Sequence, residues 1–351
     1  MKLYLHIGTE KTGSSHLQSM SAINRTILQQ NGIWFPSDSK NDALLVKSEI
    51  SAGNAQTLTD ALHTNNLSAC EFFIAQRVEE TIQKSCHSLF LSNELLLIAL
   101  AKDNKLNQFI SMLRKLGISD VKFLLFLRDP INQALSLYKH RAKNGRALDI
   151  EEWPKKHYVY GGALVSFLEQ AQLEKINLET RKFSKEKGAL EKILFKEWLN
   201  IQEDLIPPPK IVNPSLSLSE LILLKKVRQH QPHMVNPLYE KMIRMPNKGK
   251  CENSSIEQYH KACLSNQLSK YEDTWKICNQ FLPVNEKIAI PQKSENQLSI
   301  SDKNSSFSDQ QMEAIAGIIS DSLGFKFKFQ IAKLKIKAQI LKLLRALKLK
   351  N

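Results

Sequence analysis

The sequence predicts an α/β protein built on a central, mostly parallel sheet flanked by helices. Three observations lead there. Short runs suited to strands occur at Leu3–Ile7, Ser88–Glu94 and Val121–Leu127, and Ile176–Phe183 alternates as a further strand would. Stretches with helical spacing alternate with them, over 15–31, 71–86, 103–117 and 163–174. The first and third strands each run through a polar turn straight into a helix, the signature of strand–helix units in an open α/β sheet. A chain of 351 residues suits one large α/β domain plus additions.

The first strand, Leu3–Ile7, leaves through Gly8 to Gly13 and enters a helix at Ser14 or Ser15. A tight turn holding Lys11, followed by a helix start rich in hydroxyls, makes an anion cradle. Free backbone N–H groups and the positive helix end point at one spot. The helix is expected to run over 15–31 and to stop near Asn31-Gly32.

Residues 36–68 are rich in Asn, Ser, Thr and Asp and predict loops with one short helix. A helix over 71–86 follows. The strand at Ser88 then ends in Ser92, Asn93 and Glu94. A carboxylate at a strand's carboxyl end stands where such folds place their ligands. Glu94 would equally serve as a cap for the helix after it.

The strand Val121–Leu127 ends in Arg128-Asp129-Pro130. Pro130 falls near the first position of a helix, where its missing N–H costs little. That helix is expected to run to Asn144, with Ser136 eight residues after Arg128. The aromatic and basic stretch Trp153–Tyr160 suits either stacking on a sugar or a packed loop. Helices are predicted over 163–174 and 188–200, and Pro207–Pro209 breaks the chain. Ser217 and Glu220 form a Ser-x-x-Glu capping box before an apolar helix.

The spacing of the first loop excludes a Walker P-loop, because Lys11 precedes Gly13 instead of following it. Lys11-Thr12-Gly13-Ser14-Ser15 instead resembles the 5′-phosphosulfate loop of the sulfotransferases. Arg128, Asp129, Pro130, Ser136 and Tyr138 are similar, in order, to the family's 3′-phosphate motif. The segment ending in Glu94 resembles the Ser-x-Glu of bacterial members, and Asn213 with Ser215 resembles a segment that closes over the nucleotide. The Arg-Lys-Gly motif of the animal cytosolic enzymes is missing, which leaves that closure without its usual residues.

The resemblance implies a three-layer, P-loop-like sulfotransferase fold. It implies 3′-phosphoadenosine 5′-phosphosulfate as the sulfuryl donor, with no metal. Lys11 would stabilise the bridging oxygen and the leaving phosphate. The loop around Thr12, Gly13, Ser14 and Ser15 would hold the 5′-phosphate, and Arg128 with Ser136 the 3′-phosphate. Glu94 is the first candidate for the base, with Glu10 and His16 as alternatives. The rival readings are a P-loop-like kinase and a non-catalytic binder of nucleotides or anionic lipids.

Charge is uneven. Of a net +14, nine positive charges fall in 326–351, which has no Asp or Glu, so 1–325 carries +5. In that tail Ile336, Ile340, Leu343, Leu344 and Leu347 share one helical side, with Lys335, Lys342 and Arg345 opposite. This predicts a basic amphipathic helix over 325–351 that binds an anionic membrane surface. The expected partner is then a glycan or glycolipid acceptor at that surface, not nucleic acid. The expected division is a sulfotransferase domain over 1–292, a linker with a short helix over 293–324, and the tail.

The first apolar run is too short for a signal peptide, and no run of apolar residues is long enough to span a membrane. Five widely spaced cysteines suit reduced thiols. A cytoplasmic protein, peripheral on the inner membrane, is expected. Cys251, His260, Cys263 and Cys278 form no Cys-x-x-Cys pair, so a zinc site is not expected.

Overall fold

The structure is a computed structural model. It describes residues 1–37, 53–143, 149–158, 160–209, 216–244 and 254–293, and the isolated positions 44, 145, 315 and 317. The tail 325–351, Cys251, Asn213 and Ser215 lie outside the described residues, as does nearly all of 293–324.

The sheet has five strands: β1 (Lys2–His6), β2 (Ile33–Trp34), β3 (Ser88–Ser92), β4 (Asp120–Leu127) and β5 (Asn177–Lys182). Their order is β2-β3-β1-β4-β5, and every pairing is parallel. All four expected strands are present. β2 is new: two residues carry no readable periodicity. The protein is therefore α/β, with helices flanking a parallel sheet.

Alternation along the strands divides the sheet's two faces. Tyr4, Phe90, Leu124 and Phe126 pack in one cluster with Leu17, Met20, Leu194, Phe195 and Trp198. Tyr4 and Trp198 meet edge-on, ring centroids 4.9 Å apart. Leu3, Leu5, Leu89, Leu91, Phe123 and Leu125 are fully buried as well, and Phe123 packs on Phe167, 6.2 Å away. Burial on both faces explains why these strands read as continuous apolar runs.

The expected helix over 15–31 is in fact two, α1 (Ser14–Ile23) and α2 (Arg25–Gln30). Asn24 breaks it. Its side chain donates to the Met20 and Ile206 carbonyls and accepts from Ile206 N–H at 2.8 Å. A side chain bonded to a distant backbone competes with the helix ladder.

The next helices are α3 (Gln56–His63), α4 (Leu67–Gln83), α5 (Leu96–Leu100), α6 (Lys105–Lys115) and α7 (Pro130–Ala142). They are followed by α8 (Trp153–His157), α9 (Tyr160–Leu173) and α10 (Ala189–Glu191). α10 continues as a π-helical stretch, Lys192–Trp198, where a regular helix was expected. Trp153 and Tyr158 are buried, so the α8 region packs inward and offers neither ring for sugar stacking.

By contact the chain divides into two compact units interleaved in sequence. The first comprises 1–140, 148–214 and 258–299; the second comprises 141–147, 215–257 and 300–351. The expected domain over 1–292 thus draws on both. In the second unit the Ser217–Glu220 capping box forms at the start of the helix Leu218–His230, with both reciprocal hydrogen bonds present. Among the described residues, no helix is long and apolar enough to cross a membrane.

Candidate functional site

The strand order decides where a site can lie. The chain leaves β1 towards β2 on one edge, and leaves β4 towards β5 on the other. β1 and β4 are neighbours, so their carboxyl ends flank the crevice that open α/β sheets use for ligands. The Lys11 loop follows β1 and Arg128 follows β4.

The loop begins at Gly8, at φ +118°; a β-carbon there would lie 2.5 Å from the Glu94 carbonyl oxygen. Only glycine lets the end of β1 pass so close to the segment after β3. Pairing with β4 continues beyond the strand, with Thr9 N–H donating to the Phe126 carbonyl at 3.1 Å. Lys11 then adopts the left-handed conformation, φ +66°. For a residue with a β-carbon this costs about 1–2 kcal/mol and needs support from its surroundings.

Gly13, also left-handed, is the N-cap of α1 and provides no side-chain cap. The His16 N–H donates to the Gly13 carbonyl at 2.9 Å, and no N-cap side chain competes for the amides of Ser14 and Ser15. Ser14 is buried, and its Oγ has no hydrogen-bond partner. Such a group costs about 1–3 kcal/mol unless something satisfies it. Ser15 is half-buried. Thr12 differs: its hydroxyl donates to the Thr9 carbonyl at 2.5 Å and serves the loop itself.

Arg128 reaches the same place. Its Nη1 donates to the Lys11 carbonyl at 2.8 Å, across 117 residues of sequence. The guanidinium carbon stands 4.9 Å from the centre of the Phe183 ring, just past β5. Burial pushes the Arg128 pKa down to about 10, against the opposing pull of Asp129. The group is half-buried and still charged at pH 7. One hydrogen bond to a carbonyl uses one of its five N–H donors.

Asp129 caps α7, its Oδ1 accepting from Asn132 N–H at 2.9 Å. Ser136 lies a turn beyond Asn132 on the same helix, half-buried. The structure therefore brings Lys11 and Arg128 into contact and leaves Ser136 farther along α7. Tyr138, the last residue of the second motif, is a core residue packed edge-on against Trp153, 5.7 Å between centroids.

The three base candidates sit differently. The Glu94 backbone adjoins Gly8, at the carboxyl ends of β1 and β3. Glu10 lies in the loop, its carbonyl accepting from Gln133 at 3.2 Å. His16 is in the first turn of α1, with Nε2 held by Glu191 Oε1 at 2.8 Å. That hydrogen bond holds the Glu191 carboxyl below its ordinary range. His6, packed inside β1, is held neutral by burial, its pKa near 4, and bonds to Ser92 Oγ at 2.8 Å.

Sequence reasoning missed Thr9, Gln133, Phe183 and Glu191. Only Gln133 carried a signal: three residues before Ser136, it shares that face of α7. Among the described residues, no three His, Cys, Asp or Glu side chains gather as a metal site would require.

Fold and site together define an α/β protein with a parallel sheet, at whose switch point a lysine loop, a helix start without a side-chain cap and a half-buried arginine converge. No protein-family model matches the chain, and no curated protein matches it.

Proposed function

We propose that the protein is a sulfotransferase of P-loop-like fold, moving a sulfuryl group from 3′-phosphoadenosine 5′-phosphosulfate to a hydroxyl of a glycan or glycolipid. The observation that carries this is the contact between Arg128 Nη1 and the Lys11 carbonyl, 2.8 Å. The two stretches that resemble the family's donor motifs meet at one crevice.

The residues suit an anionic nucleotide with phosphates at both ends. The start of α1, without a side-chain cap, and the orphaned Ser14 hydroxyl suit the 5′ end. The remaining donors of Arg128, with Ser136, suit the 3′-phosphate, where a planar guanidinium can bind two oxygens. In the transfer, the acceptor oxygen bonds to sulfur as the bond from sulfur to the 5′-phosphate oxygen breaks. The hydroxyl proton passes to a base, and the products are a sulfate ester and the bisphosphate nucleotide. Lys11 neutralises the charge gathering on the leaving phosphate.

Glu94 is the proposed base, a carboxylate just past the carboxyl end of β3 with its backbone against Gly8. Glu94→Gln keeps its shape and removes the base, so turnover falls by about 10²–10⁴ while nucleotide affinity holds. Near-normal turnover in that variant transfers the role to Glu10 or His16.

The acceptor class rests on the basic, amphipathic sequence of 325–351. The full chain is expected to bind anionic vesicles at low salt and to release them as salt rises, each basic residue adding about 1 kcal/mol at most. A chain that ignores anionic vesicles points to a soluble acceptor.

The reading as a whole is tested by thermal shift. 3′-Phosphoadenosine 5′-phosphate should raise the melting temperature, and ATP with Mg²⁺ should not. The reverse result favours a kinase.

A further inference from the structure

Lys11 stands in the left-handed conformation, φ +66°, which for a lysine needs support from its surroundings, and the β4–α7 segment supplies part of that support. Three successive residues are held by the β4–α7 segment. Thr9 donates to the Phe126 carbonyl through both its N–H, at 3.1 Å, and its Oγ1, at 3.2 Å. The Glu10 carbonyl accepts from Gln133 Nε2 at 3.2 Å. The Lys11 carbonyl accepts from Arg128.

Donor and acceptor accounting gives this network one direction. The Glu10 carbonyl can only accept, so the Gln133 amide must turn its NH₂ towards the loop. That NH₂ also reaches Thr9 Oγ1 at 2.9 Å, whose own hydrogen is committed to Phe126. The Gln133 Oε1 then faces away and accepts from the Tyr158 hydroxyl at 3.2 Å. Gln133 and Tyr158 are both buried. Burial also raises the Tyr158 pKa far above neutrality, so its hydroxyl keeps the proton it donates.

We propose that Gln133, oriented by Tyr158, is a positioning residue that holds the Lys11 loop in its working shape. This rests on the reading of Lys11 as the lysine that meets the leaving phosphate. Gln133 touches no reacting atom. It keeps the Glu10 carbonyl in place, and so fixes where the backbone presents Lys11. A second motif would thus serve the first twice, through Arg128 and through Gln133. Misplacement of a catalytic group by about 1 Å can cost on the order of 10²-fold in rate.

The test uses the full chain with Gln133→Met, which keeps length and volume but removes both polar ends, and Tyr158→Phe, which removes only the orienting hydroxyl. Four quantities are read: melting temperature, affinity for 3′-phosphoadenosine 5′-phosphate by calorimetry, kcat and KM for the donor, and amide hydrogen exchange over residues 8–13. Gln133→Met is expected to lower kcat about 10- to 100-fold with little change in KM or nucleotide affinity. Exchange in the loop should speed up. Tyr158→Phe should move the same readouts the same way, but less, and it decides the matter if Gln133→Met folds poorly. Unchanged kcat and unchanged loop exchange in a folded variant overturn the proposal. So does a loss of kcat that only follows a fall in melting temperature. Should the unaltered chain bind no nucleotide, the functional reading fails by itself. The positioning role is then decided by loop exchange alone, where rates like those of the unaltered chain overturn it.

Discussion

Lys11→Ala is expected to lower turnover by about 10²–10³, the cost of removing one donor aimed at developing charge. The substitution tests the charge and little else. Lys11 already carries a β-carbon in the left-handed conformation, φ +66°, so alanine brings no new backbone strain. Its carbonyl, which Arg128 holds, belongs to the backbone and is retained. Affinity for 3′-phosphoadenosine 5′-phosphate should therefore fall much less than kcat. Single-turnover kinetics beside calorimetry separates the two. A variant that loses binding and turnover in equal measure places Lys11 on the ground-state nucleotide instead of the leaving group.

Arg128→Ala should act the other way, mainly on binding. A lost contact to a half-buried, charged group costs about 2–4 kcal/mol, or about 30- to 700-fold in affinity. The electrostatics explain the size. Burial has already taken water from the guanidinium and pushed its pKa down to about 10. An anion arriving there meets a half-buried cation with less solvent to lose than a surface arginine, and favours its charged form. The same burial means that the nucleotide-free variant sheds a desolvation cost, so its melting temperature should fall little. The loop loses its hold on the Lys11 carbonyl too, and some loss of kcat should accompany the loss of affinity. Unchanged affinity in calorimetry would remove Arg128 from the donor site and with it the main support for the proposed function.

The candidate site was legible in part. Lys11, Gly13, Ser14 and Arg128 could be picked out because their signals are local. A strand, a glycine turn and a helix start are written in about fifteen consecutive residues, and so are the strand ending in Arg128 and the helix opened by Pro130. Thr9 and Phe183 were not legible, because each acts through residues remote in sequence. Thr9 works through Phe126 and Gln133, and Phe183 through Arg128. Thr12 shows the opposite limit: its place in the loop was readable, but not that its hydroxyl turns back to Thr9.

By itself the sequence determined four of the five strands, the α/β class and the capping box at Ser217, since periodicity and caps depend on neighbours a few residues away. It also determined that the chain offers two polar turns, each after a buried strand. Only the tertiary structure decided that those turns meet. That required β1 to lie beside β4, a pairing of strands more than a hundred residues apart that no local pattern encodes. The break of the first helix at Asn24 was decided the same way, by a hydrogen bond to Ile206, 182 residues on. So was the pairing of Arg128 with Lys11. Contacts of that span form only when the sheet has assembled, because the cost of closing such loops is met by the core and not by the contacting residues themselves.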